Sequence, residues 1–194
     1  VTGTTRSGKT TSVLQHTAND TRLIVFDYAG RDWPNYNCER IDGLAALCPR
    51  LLEVREGPAR ISYRGDLDSK HFGQWASIAL AWAQFAPVTI VAEELADVVH
   101  PGKAPSGWGE LVRGGLAYGV KIYAITQRPQ ETDKSIFGNA TTVRIFRTGH
   151  IDDADYIARR TGIPSADINA LKKLEYFEKD IDDGQIRREI LTFH

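Results

Sequence analysis

The stretch "GTTRSGKT" at residues 3–10 limits what this chain can become more than any other feature. Gly3, Gly8, Lys9 and Thr10 fit G-x-x-x-x-G-K-[ST] at full spacing. Average composition would yield that match by chance with a probability on the order of one per cent in a chain of 194 residues. The spacing has a physical reason. Glycines let successive backbone N–H groups turn inward around phosphate oxygens, and a helix starting near Lys9 aims the positive end of its dipole at the same point. The cradle candidates are Gly3, Thr4, Thr5, Arg6, Ser7, Gly8, Lys9, Thr10 and Thr11, with Lys9 reaching the β- and γ-phosphates of ATP and the Thr10 hydroxyl ligating Mg2+. Val13 and Leu14 start the apolar face of the expected helix. Ahead of the loop stand only Val1 and Thr2, and methionine is absent even at position 1, so the first strand is expected to be clipped or very short.

Downstream, apolar β-rich runs alternate with helical patterns, the signature of a parallel sheet wrapped by helices. "RLIVFDY" (22–28) is a buried strand by its continuous apolar run, and "ARISYRGD" (59–66) a shorter, more alternating one. Over 68–86, Phe72, Trp75, Ala76, Ala79, Trp82, Ala83 and Ala86 recur at three- and four-residue spacing, which puts them on the core face of a long helix. "VTIVAEEL" (88–95) and "VKIYAITQRP" (120–129) are further buried strands, separated by a Gly- and Pro-rich loop over 100–109 and a helix over 110–119 closed by Gly119. "TDKSIFGNA" (132–140) predicts a short helix capped by Thr132 or Asp133, and "TVRIFRT" (142–148) a fifth strand. Two amphipathic helices follow, and Asp183-Gly184 suits the turn of a closing antiparallel hairpin. The expected organisation is one α/β domain over 1–194, with a core over 1–150 and C-terminal helices and hairpin over 151–194.

Charge and composition narrow the partners. With 24 basic and 25 acidic residues the net charge is -1, which excludes coating nucleic acid through bulk charge and leaves local loops to make any contact. No apolar run approaches the roughly 20 residues of a membrane span. Cys38 and Cys48 lack metal-ligand spacing and read as reduced thiols of a cytosolic protein.

A hydrolysing phosphate loop needs an acid at the end of a neighbouring buried strand for the magnesium shell, and a further acid to polarise water. "TIVAEE" supplies Glu93 and Glu94, and a chain that bends at the strand exit lets both approach one site. "IYAITQRP" ends in Gln127, an amide able to orient water and sense the γ-phosphate.

With these three elements in order, the chain resembles the FtsK/HerA superfamily of DNA-translocating ATPases. The resemblance runs from residue 1 to about 150 and rests on the phosphate loop, "VAEELAD" and "ITQRP", the last being the most discriminating. Within it, "QRPQETDKSIFGNA" and "RIFRTGHIDDADYIARRTGI" are similar to the genome-packaging ATPases of tailless, membrane-containing viruses. The resemblance implies a RecA-like P-loop NTPase fold: a mostly parallel sheet with helices on both faces and a C-terminal β-hairpin. It implies ATP and Mg2+ as cofactors, double-stranded DNA and capsid or portal-vertex proteins as partners, and a ring, commonly a hexamer, with ATP at subunit interfaces. The expected location is the host cytoplasm or the packaging vertex of the virion. Lys9 and Thr10 become the nucleotide and magnesium contacts, Glu94 the catalytic base and Gln127 the sensor. Glu93 stands where the family usually has Asp. A ring motor also needs a cation supplied in trans; Arg113 is the first candidate, followed by Arg144, Arg147 and Arg128. The loop from His100 to Gly109, with Lys103 and Trp108, is the candidate DNA contact. Three other readings stay open at this point: a superfamily ATPase of conjugation, secretion or filamentous-phage assembly, a nucleotide-switched assembly factor without steady turnover, and a small P-loop kinase.

Overall fold

The computed structural model describes residues 1–29, 32–102 and 104–192. Five parallel strands, β1 (Arg22–Phe26), β2 (Glu39–Asp42), β3 (Ala59–Arg64), β4 (Thr89–Ala92) and β5 (Lys121–Ala124), form one sheet in the order β2-β3-β1-β4-β5. The continuous apolar runs of β1 and β4 are explained by their central place, where every residue is buried. Alternate residues serve opposite faces. Ile24, Phe26, Ile90 and Ala92 enter one core, while Leu23, Val25 and Val91 enter the other.

On the first face lies α3 (Ser69–Ala83), N-capped by Asp68, whose carboxylate accepts from the His71 N–H at 2.8 Å. Its buried Phe72 and Trp75 meet Phe26 edge-on, with centroids 5.0 and 5.2 Å apart. Helix α2 (Leu44–Val54) adds Leu47 and Leu51 to the same core. On the second face, α1 (Lys9–His16) packs Val13 and Leu14 against β1 and β4. Cys38 and Cys48 are both free thiols.

Two sequence expectations change here. The helix expected over 110–119 begins earlier, as α4 (Ser106–Gly114), and tightens to a 3-10 turn over Gly115–Tyr118 before Gly119 ends it at φ 68°. Trp108 therefore lies on a helix, fully buried against Phe72 at 5.1 Å, and is no part of an exposed DNA-contacting loop. Lys103 lies outside the described residues. The residues 39–54 also carry a strand and a helix without a strong pattern of their own, since β2 buries only Ile41 and α2 holds Pro49 inside it.

The third difference concerns the C-terminal region. After α5 (Ser135–Gly138), where Asp133 accepts from the Ser135 N–H and hydroxyl, comes β6 (Thr142–Phe146). Then follow α6 (Ile151–Thr161), α7 (Ser165–Asn169), β7 (Glu175–Asp180) and β8 (Ile186–Ile190). β6 pairs antiparallel with β7, so the expected hairpin β7–β8 is part of a three-stranded sheet. Thr2 joins the two sheets through parallel bridges to Thr126, just past β5, and to Ile145 in β6.

Helices α3 and α4 approach as closely as backbones allow. A Cβ on Gly107 would sit 2.1 Å from the Gly73 carbonyl oxygen and 2.2 Å from Ser77 Oγ, whereas one on Gly114 would meet nothing within 4 Å. Gly107→Ala is therefore expected to destabilise by about 1–3 kcal/mol. Gly114→Ala should be neutral or stabilising by a few tenths of a kcal/mol. Urea denaturation of the two variants beside the parent checks this contrast.

Candidate nucleotide site

The phosphate loop is shaped by what lies beneath it. Thr2 exchanges backbone hydrogen bonds with β6 (Thr2 N to Arg144 O, 2.9 Å; Phe146 N to Thr2 O, 2.8 Å), and Thr4 N reaches Arg147 O at 2.8 Å. The loop then turns through Gly3 at φ 148°, Arg6 at φ 58° and Gly8 at φ 113°. Gly3 is needed for space as well as angle, because a Cβ there would stand 2.6 Å from Phe146 Cβ. At Gly8 a Cβ would press on Leu174, Leu191 and Phe146 at 3.0–3.1 Å, so the C-terminal sheet forms the floor of the loop.

Lys9 is 5 % exposed and its Nζ donates to the Thr4 carbonyl oxygen at 2.9 Å, inside the loop. Burial pulls its pKa down, and the charges of Glu94 and Glu93 pull it back up. The Thr10 hydroxyl donates to Glu93 Oε2 at 3.3 Å. On the other side, the Trp33 indole donates to Glu93 Oε1 at 3.1 Å. Burial pushes the Glu93 carboxyl up to about 7, against the opposing effect of the two donors.

Glu94 adopts the left-handed conformation at φ 45°, rare for a residue with a side chain. That turn lets two adjacent carboxylates leave the strand in different directions yet serve one site. Glu93 faces Thr10, while Glu94 Oε1 accepts from Gln127 Nε2 at 2.6 Å. Gln127 Oε1 in turn accepts from the Thr5 hydroxyl. The structure thus brings Thr5, Lys9, Thr10, Glu93, Glu94 and Gln127 together around the loop. Beyond Glu94 opens a cleft of about 400 Å3 whose lining includes Asp97, Arg128, Glu131 and His150.

The arginines divide by what they already hold. Arg144 bonds Glu178 and the Ser12 hydroxyl and packs over the Tyr176 ring at 4.8 Å, which ties β6 and β7 to α1. Arg128 pairs with Glu131 at 2.6 Å and with the buried Asp153 at 3.1 Å. Arg147 is exposed, and its carbonyl supports the loop. Arg113 is exposed on α4 and is not among the residues lining the cleft.

Likeness to solved structures gives the fold class. The structure superposes on the genome packaging NTPase B204 of Sulfolobus turreted icosahedral virus 2, solved in complex with AMPPCP, with a TM-score of 0.80 over 100% of this chain and 96% of that one at 13% identity. The fold is that of a P-loop NTPase. B204 of Sulfolobus turreted icosahedral virus, described as a DNA-packaging ATPase, gives a TM-score of 0.77 over 100% and 96% of the two chains at 15% identity. The N-terminal domain of zonular occludens toxin from Neisseria meningitidis gives 0.54 over 100% and 92% at 14% identity. In sequence, the chain is 31% identical over 138 residues to Protein P9 of Pseudoalteromonas phage PM2. That match covers 70% of this chain and spans 62% of the length of P9. No family model matches.

The residues of this P-loop NTPase fold fit a nucleotide on structural grounds. Its two glycines let the loop take positive φ angles and lie against Phe146, Leu174 and Leu191 where a side chain would clash, and among the described residues the buried Ser7 hydroxyl has no partner, the state expected of a donor awaiting ligand oxygens. Thr10 and Glu93 offer the hard oxygens that Mg2+ prefers. Two contributors had weak or no sequence signal. Asp27, buried at the end of β1, accepts from the Ser62 hydroxyl at 3.0 Å and adds negative charge near Glu93; a carboxylate closing an apolar strand could have marked it. Trp33 reads as core, since nothing in its neighbourhood along the chain points to residue 93.

The raised Glu93 pKa has a definite sign. Between the ordinary 4.5 and about 7 the folded chain holds more protons than the unfolded chain, so stability declines as pH rises through that window. Glu93→Gln removes the titration. In the absence of nucleotide it should melt close to the parent at pH 4 and about 5 °C above it beyond pH 7. Thermal melts across pH 4–8 check the crossover.

Proposed function

We propose that this chain is an ATPase that hydrolyses Mg–ATP to drive double-stranded DNA into a viral capsid. The observation that carries the reading is the convergence of Lys9 and Thr10 at the start of α1 with Glu93, Glu94 and Gln127 from two strand ends on one phosphate loop. Likeness in fold to the B204 packaging NTPases over the full chain, and in sequence to Protein P9, supports it.

Bound Mg–ATP supplies the electrophilic phosphorus and a divalent charge that offsets the negative charge developing on the phosphate oxygens. Lys9 exchanges the Thr4 carbonyl for the β- and γ-phosphate oxygens, an anionic environment that restores the charge its burial disfavours. The Thr10 hydroxyl and Glu93 hold the metal side. Glu94 Oε1 takes the proton from the attacking water, and the Gln127 amide, already bonded to Glu94, orients that water. The cleft beyond Glu94 contains the carboxylates of Asp97 and Glu131, while Arg128 is committed to Glu131 and Asp153. Arg128 is the only arginine or lysine among the described residues lining that cleft, which leaves a place for a cation supplied by a neighbouring copy. Arg113 of a neighbouring copy, exposed and without an ion pair among the described residues, fills that place in a ring. A ring also multiplies the few phosphate contacts a chain of net charge -1 can make.

Glu94→Gln is expected to bind ATP as the parent does and to lower kcat by about 100-fold or more. Parent turnover should rise on addition of double-stranded DNA. Turnover indifferent to DNA, or undiminished in Glu94→Gln, would overturn the motor reading, and nucleotide binding without turnover would favour the assembly-factor reading. For the trans cation, Arg113→Ala should lose kcat while keeping ATP affinity. Mixing it with Glu94→Gln should then recover part of the lost activity, because some interfaces combine an intact Glu94 with an intact Arg113.

A further inference from the structure

The four tryptophans, Trp33, Trp75, Trp82 and Trp108, are all buried, yet they are not equivalent. The indole nitrogens of Trp75, Trp82 and Trp108 have no hydrogen-bond partner among the described residues, so these three rings contribute through packing and, at Trp82, a stacked Arg22 guanidinium. Trp33 alone directs its N–H at a carboxylate, Glu93 Oε1, at 3.1 Å. It stands at the start of a 3-10 turn, Trp33–Tyr36, after β1, and its ring is fully buried in the cluster that includes Val13 and Leu14 of α1. Its position is thus set by the helix that carries Thr10, the residue holding the other oxygen of the same carboxylate.

This arrangement answers a problem created by the glutamate itself. A glutamate has one more torsion than an aspartate, and its terminal torsion is broad, so an unrestrained carboxylate samples many directions. A donor fixed by core packing removes that freedom from one oxygen and leaves the lone pairs of the other aimed at Thr10. We infer that Trp33 is a positioning residue for the metal side of the site, its indole N–H holding Glu93 so that Oε2 meets Thr10 and the divalent cation together. The inference rests on the nucleotide-site reading and acts entirely through Glu93. Groups that orient metal-side carboxylates typically contribute about 10–100-fold to metal affinity or activity.

The test compares Trp33→Phe with Trp75→Phe in the full chain, since both lose an indole from the core but only the first loses a bonded N–H. Mn2+ binding in the presence of a non-hydrolysable ATP analogue, followed by electron paramagnetic resonance, reads the metal directly. Trp33→Phe should weaken Mn2+ binding about 10-fold and raise the Mg2+ concentration for half-maximal ATP turnover by a similar factor, with nucleotide affinity in the absence of metal unchanged. Trp75→Phe should match the parent in each. Equal Mn2+ binding by Trp33→Phe and the parent, or equal weakening in both tryptophan variants, overturns the inference. A parent that binds no Mn2+ with the analogue overturns the nucleotide-site reading beneath it, a different and separately visible result. Should Trp33→Phe not fold, the parent supplies the second measurement: of four indole N–H resonances, that of Trp33 should move on binding Mg2+ with the analogue and in Glu93→Gln, while that of Trp75 stays in place. An unmoved Trp33 resonance again overturns it.

Discussion

Two adjacent residues of backbone, Val1 and Thr2, hold the two halves of this molecule in register. Thr2 donates to Arg144 O and accepts from Phe146 N, and Val1 beside it accepts from Thr126 N at 3.0 Å. Through these bonds the parallel sheet, which ends at β5, and the antiparallel sheet, which starts at β6, become neighbours across the stem of the phosphate loop. Everything chemical depends on that placement. The stem fixes where Gly3 begins its turn, the turn fixes where Lys9 enters the helix, and β5 carries Gln127 to the side of the loop that faces Glu94.

The arrangement also explains why residues of the same kind play different parts. Glu93 and Glu94 are adjacent and chemically alike, but the left-handed turn at Glu94 separates them. Glu93 enters the packed side of the site, where burial raises its pKa and two donors hold it, and Glu94 opens onto the cleft beside an amide. The arginines are sorted in the same way. Arg144 and Arg128 are consumed in joining elements of their own chain, whereas Arg113 and Arg147 are exposed.

Much of this was legible in the order of residues. The phosphate loop is a local motif whose glycines specify backbone angles, so it reads directly. Strands β1 and β4 are central and buried on both faces, which makes their apolar runs continuous, and α3 shows its face through Phe72, Trp75, Ala79 and Trp82. The carboxylates and the glutamine stand at strand ends, where a break in an apolar run marks them. What was hidden depends on long-range packing. Trp108 follows a Gly- and Pro-rich stretch and reads as loop, yet Gly107 admits α4 so close to α3 that the ring is drawn into the aromatic core. β2 is an edge strand with one buried residue and carries almost no periodic signal. Trp33 cannot be told from the other core tryptophans until the fold sets Glu93 beside it.

The contact of Gly8 with Leu174 and Leu191 bears on the order in which the molecule is assembled. The motif that is most local in sequence has its stem bound to residues 124, 126 and 144–147 and its floor laid by residues 174 and 191. Closing loops of such length carries an entropic cost that must be met before the contacts form, and non-local pairing of this kind is slow. A growing chain therefore carries its phosphate-loop sequence long before residue 191 is made, but gains a supported cradle only when β8 and Leu191 have joined the sheet. A supported phosphate loop is in this way a report that residues 174–191 have been made and folded.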